Sequence, residues 1–118
     1  MKDLLTTLAR DIQRCASSDG LHASPVNGVC CVKYSKTDRR TKRHWRACLA
    51  IVAQGSKEVV LGREVFRCSA GDYTATPIQL PVISKVTTIT VDNPFLALLI
   101  DLEPVLLNKI ASQLVPLN

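Results

Sequence analysis

Residues 47–68 read ACLAIVAQGSKEVVLGREVFRC, and this stretch decides the fold. Positions 47–53 are a continuous apolar run, too short for a typical helix and closed by Gln54-Gly55. Such a run suits a strand buried on both faces or a central strand of a sandwich. Two further short segments, 58–61 and 64–68, flank Gly62-Arg63. A glycine at the first position of a two-residue turn accepts the II′ geometry that matches strand twist, so these segments form a hairpin.

Toward the N-terminus, 29–34 is small and β-branched enough for another strand. The stretch 35–44 has no periodic apolar residues and is expected as a loop or a strand edge. Ser17, Ser18, Asp19 and Gly20 are stop signals, and the segment from there to Gly28, with Pro25 inside, reads as loop. Before it, Leu4, Leu5, Leu8, Ile12 and Cys15 recur with a 3.6-residue period, which predicts an amphipathic helix over 2–16. A helix this short is marginal alone in water and must pack on the rest of the chain.

Toward the C-terminus, Ala70-Gly71-Asp72 makes a turn before a strand at 73–76. Pro77 and Pro81 enclose a short irregular piece. The segment 85–91, KVTTITV, is dense in β-branched residues and strongly strand-like. Asp92-Asn93-Pro94 then turns the chain into an apolar strand at 95–101. Pro104 opens a second helix over 103–114, with Leu106, Leu107, Ile110, Ala111 and Leu114 on its apolar stripe and Pro116 beyond it. The expectation is a single, mainly β domain over 1–118. Six or seven short strands within 28–102 form a small barrel or sandwich, with one helix before and one after.

Composition agrees. A chain of 118 residues and 12.9 kDa, 47% hydrophobic and 21% charged, supports one ordinary core. The longest apolar runs, 47–53 and 95–100, fall far short of a membrane-spanning helix, and the N-terminus lacks a signal-peptide pattern. Cys15, Cys30, Cys31, Cys48 and Cys68 are odd in number and irregularly spaced, which argues against a disulfide framework or a structural zinc site. They read as reduced, small core hydrophobes of a cytoplasmic protein. The net charge of +5 is local: Lys33, Lys36, Arg39, Arg40, Lys42, Arg43 and Arg46 stand against Asp38 alone, and the rest of the chain is close to neutral.

The residues support little catalytic chemistry. His22 and His44 are the only histidines, and His44 lies among cations, so no metal and no cofactor are expected. Ser56 lacks a nucleophile-elbow context, and Gly55-Ser56-Lys57 lacks the glycine-rich run of a phosphate loop. Glu58 and Glu64 read as cross-strand charge partners. The seven cations around Tyr34 and Trp45 suit a solvated face first, then a partner protein, then a nucleic-acid backbone. A ligand-enclosing interior is the positive feature. The candidate lining is Leu49, Ile51, Phe66, Cys68, Tyr73, Phe95, Ala97 and Leu99, although the same residues would fill a solid core equally well.

The ordered set ACLAIVAQG (47–55), KEVVLG (57–62), Val65-Phe66, AGDY (70–73), LPV (80–82), NPFLAL (93–98) and Leu102-Glu103-Pro104 resembles the N-terminal domain of AraC-type transcription regulators, over roughly 28–114. The resemblance implies a cupin-like domain without a catalytic metal, non-enzymatic, serving as an effector-sensing or dimerisation module of a longer bacterial regulator. It further implies a small-molecule effector and a homodimer; the apolar face of the helix over 103–114 needs a partner, which makes Leu106, Leu107, Ile110 and Leu114 the candidates for the transmitter or dimer contact. DNA would be reached only through a helix-turn-helix region outside this chain. A ligand-free scaffold and, more remotely, a metal-dependent cupin-like enzyme are the alternatives.

Overall fold

The computed structural model describes residues 2–36, 41–45, 47–76, 80–88, 92–103, 108–109 and 112–113. The chain opens with helix α1 (Lys2–Cys15), as its periodicity requires. Asp3 in the first turn and Arg14 in the last suit the signs of the helix dipole. Nine strands follow among the described residues: β1 (Gly20–Ala23), β2 (Val29–Tyr34), β3 (Thr41–Trp45), β4 (Cys48–Gln54), β5 (Ser56–Leu61), β6 (Glu64–Ser69), β7 (Tyr73–Thr76), β8 (Leu80–Thr88) and β9 (Phe95–Asp101).

These strands lie in two sheets, a five-stranded one ordered β1-β2-β9-β4-β7 and a four-stranded one ordered β3-β8-β5-β6. All pairs are antiparallel, and four of them are nested: β2 with β9, β3 with β8, β4 with β7, and β5 with β6. The chain is therefore one long hairpin wrapped over itself, the topology of a jelly roll. Its tip is the turn at Gly62 (φ 63), where Leu61 pairs with Glu64. Gly55 (φ 84) is the corner at which the chain leaves β4 in one sheet and enters β5 in the other. At the next crossing, Gly71 (φ 95) donates its N–H to the Val52 carbonyl at 2.9 Å, and the Val52 N–H reaches the Asp72 carbonyl at 3.0 Å.

Two apolar clusters result. Val32, Val52, Cys68, Val86, Phe95 and Ala97 fill the space between the sheets, with Tyr34 and Leu99 against them. The Tyr34 and Phe95 rings are 6.5 Å apart at 31°, within the range of a favourable aromatic pair. On the other face of the five-stranded sheet, Ala9, Ile12 and Ala16 of the helical segment meet Cys31, Ala53 and Leu96.

The hairpin, β2, β4, β7 and β9 lie where the sequence puts them, and two expectations change, at β1 and at the start of β8. The supposed loop 20–28 contains β1, a short edge strand held by β2. The basic stretch ends in β3, an edge strand of the four-stranded sheet, which is the second of the two forms expected for it. The piece between the prolines is not irregular throughout, since β8 starts at Leu80 and runs through Pro81. Pro81 fits because β8 pairs with β5 only from Ile83 onward, so its missing N–H interrupts no ladder on that side. In the segment 103–114, Asn108, Lys109, Ser112 and Gln113 are helical and exposed, and the rest of the expected helix beyond Glu103 lies outside the described residues.

Candidate functional site

Directly opposed residues of an antiparallel pair share a face, so strand register identifies the lining of the space between the sheets. On the five-stranded side it consists of the rows Val32–Ala97–Val52, Cys30–Leu99–Ala50 and Tyr34–Phe95. On the four-stranded side Val59 stands between Phe66 and Ser84, and Lys57 between Cys68 and Val86. Phe95, Val52 and Ala97 are each 2% exposed, whereas Phe66 is 45% exposed and stands at the rim. Polar groups enter this lining at Ser84, Lys57 and Tyr34, and at Thr76, which is opposite Cys48. Burial pushes the Cys68 thiol up; Lys57 opposes that shift and Asp72 adds to it.

Of the residues expected to line a pocket, Phe66, Cys68, Phe95, Ala97 and Leu99 come together here. Leu49, Ile51 and Tyr73 do not. Ile51 belongs to the row Cys31–Leu98–Ile51–Tyr73, and Leu49 pairs with Ile100, on the face that carries α1. Tyr73 ends that row at the β7 edge, 70% exposed. β4 is apolar on both faces, so alternation alone left its phase open.

Lys42 and Arg43 lie in β3, Lys33 is half-buried on β2, and Lys36 is exposed. Arg39, Arg40 and Arg46 lie outside the described residues, as do Leu106, Leu107, Ile110 and Leu114. His22 and His44 fall on strands of different sheets, and the His22 Nε2 lies 2.8 Å from the Ser18 carbonyl. Among the described residues, no three His, Cys, Asp or Glu side chains are gathered to hold a metal, and no helix is long and apolar enough to cross a membrane.

A concavity away from the space between the sheets escaped the sequence reading because it exists only once α1 docks. This open cleft of about 460 Å³ lies between α1 and the end of β4, lined by Thr6, Arg10, Gln13, Gln54 and Asn93 among others. The Gln54 side chain donates to the Pro94 carbonyl at 2.8 Å and fixes one wall.

Residues 25–117 match the sequence profile of the AraC-type transcriptional regulator N-terminus. The chain belongs to that family. The AraC-type domain also shares its fold with cupins. A cupin-2 domain protein from Shewanella frigidimarina superposes with a TM-score of 0.54 at 11% identity, covering 79% of this chain and 91% of that one. A protein of unknown function from Rhizobium leguminosarum gives 0.53 at 12% identity, covering 81% and 92%. These likenesses concern the fold alone. No curated protein matches the AraC-type chain.

Proposed function

We propose that this AraC-type domain is the regulatory module of a cytoplasmic transcriptional regulator, sensing a small-molecule effector, mediating dimerisation, or both. The observation that carries the reading is the family match across nearly the whole chain. The effector site would be the space between the sheets, entered at Phe66 and lined by Cys68, Phe95, Ala97 and Leu99. A mixed ligand fits this lining, its apolar body against Phe95 and Leu99 and a polar group toward Lys57, Ser84 or Thr76. For the domain to regulate, that ligand must bind two arrangements of the regulator with different affinity. The segment 103–114, through Leu106, Leu107, Ile110 and Leu114, would provide the dimer contact, and DNA contact would come from elsewhere in a longer protein.

Thermal unfolding against a panel of small metabolites tests the effector. A ligand that binds only the folded state at a hundredfold over its Kd adds about 2.7 kcal/mol of stability. The midpoint should rise with one compound class, and Phe66→Ala should abolish the rise. The close filling around Phe95 and Val52 favours a second reading, a ligand-free dimerisation scaffold. Under that reading no compound shifts the midpoint, while Leu107→Asp still converts a dimer to a monomer in sedimentation.

A further inference from the structure

We propose that Cys15 and Cys31 are a redox pair, whose oxidation to a disulfide bolts α1 onto β2 and so fixes the helix that forms one wall of the cleft. The pairing follows from position. Cys15 is the last residue of α1 and packs against the cluster that contains Cys31. Its Sγ lies 3.7 Å from the carbonyl oxygen of Ala23, and Ala23 stands opposite Cys30 in the β1–β2 ladder. His22, the neighbour of Ala23, stands opposite Cys31 in the same ladder, and Cys15 belongs to the apolar packing around Cys31. Cys30, although adjacent in sequence, is on the other face: it pairs with Leu99 on the inner side, whereas Cys31 pairs with Leu98 under the helix.

The two sulfurs differ in access. Cys15 is half-buried and reachable from solvent, while Cys31 is 4% exposed. Burial first, and then the neighbouring Cys15 and Cys30 thiols, push the Cys31 thiol up to about 12, so it reacts only as a base takes its proton. Cys15 is therefore the thiol that meets an oxidant, and Cys31 the one that resolves it. With a peroxide, the Cys15 thiolate attacks one oxygen, the O–O bond breaks, hydroxide leaves and a sulfenic acid forms. The Cys31 sulfur then attacks the Cys15 sulfur, and the S–O bond breaks. The departing hydroxide takes the Cys31 proton, so two thiols and one hydrogen peroxide give one disulfide and two waters.

Oxidation would close a covalent ring over residues 15–31 and trap β1 inside it. In the reduced protein no covalent cross-link among the described residues joins α1 to β2, and the helix rests on packing and on the contact of Cys15 with the Ala23 carbonyl. The cleft walls contributed by Thr6, Arg10 and Gln13 would then be movable in the reduced form and fixed in the oxidised one.

The test oxidises the reduced 118-residue chain with hydrogen peroxide, caps remaining thiols with N-ethylmaleimide and cleaves before aspartate. That cleavage separates Cys15 (peptide 11–18) from Cys30 and Cys31 (peptide 19–37). The expected product is a monomer in which the two peptides are joined and fragmentation places the bond on Cys31. Cys30→Ala should leave the link intact, and Cys15→Ala and Cys31→Ala should remove it. Hydrogen exchange of the 9–16 amides should slow by about tenfold on oxidation of the unsubstituted chain and not of Cys15→Ala. Recovery of peptide 11–18 unlinked, a bond mapped to Cys30, or an intermolecular disulfide would overturn the proposal. The mapping on the unsubstituted chain decides the matter even if Cys31→Ala fails to fold.

Discussion

The two sheets bury different numbers of faces, and their sequences differ accordingly. The five-stranded sheet has the second sheet on one side and α1 on the other. Its central strands β9 and β4 are continuous apolar runs, FLALLID and CLAIVAQ. The described strands of the four-stranded sheet bury one face, and Lys57, Glu58, Arg67 and Lys85 are interspersed among their hydrophobes. Continuous apolar strands are familiar from parallel sheets covered on both sides. Here the same pattern arises in antiparallel strands, because what sets it is the number of covered faces and not the strand direction.

The sharpest way to break this comparison is to delete a large side chain from each cluster. Phe95→Ala, between the sheets, should cost about 3–5 kcal/mol in urea unfolding, because rigid strands on both sides leave the cavity open. Ile12→Ala, beneath α1, should cost about 2–3 kcal/mol, because a helix can shift to close the gap. Equal losses would mean that α1 is as integral to the fold as the second sheet.

A smaller effect per pH unit is expected from alkaline conditions. The Cys31 thiol rises from an ordinary value of 9.0 to about 12 on folding, so between those values the unfolded chain holds fewer protons than the folded one. Stability is therefore fully present below pH 9 and falls as pH climbs toward 12, by at most about 1.4 kcal/mol per pH unit. Cys31→Ala should flatten that part of the profile. The smallest effect belongs to the solvent face of the four-stranded sheet. Glu58 lies opposite both Arg67 and Lys85, and Glu58→Gln should cost less than about 1 kcal/mol. A larger loss would show that this face is covered too.

The same difference in burial decides what the sequence could disclose. β4, β9, the hairpin and α1 were legible because their patterns are local: an uninterrupted apolar run, a Gly-Arg turn between short strands, a 3.6-residue period. β1 was not, because GLHA lacks apolar density and is a strand only through its pairing with β2, and TKRHW left β3 open between loop and strand edge until it pairs with β8, far along the chain. The candidate lining was half legible for a related reason. Phe95, Ala97 and Leu99 were placed on the inner face, but in β4 an apolar residue sits at almost every position. Only pairing with β9 reveals that Ala50 and Val52 face inward while Leu49 and Ile51 face out. The α1 cleft had no sequence signal at all, since it depends on how the helix docks.

The nested pairing also prescribes an order of assembly. Leu61 needs only to meet Glu64 across a turn, whereas Val29 must find Ile100 from nearly the far end of the chain. Once β5 and β6 close, each outer pair has a shorter free loop to immobilise, so ordering proceeds from the tip outward like a zip. The widest pair, β2 with β9, closes last, and α1 docks on the surface that closure creates. Nascent chains would then pass through a stage in which the tip is formed and the outer strand edges are still unpaired, the stage most exposed to self-association.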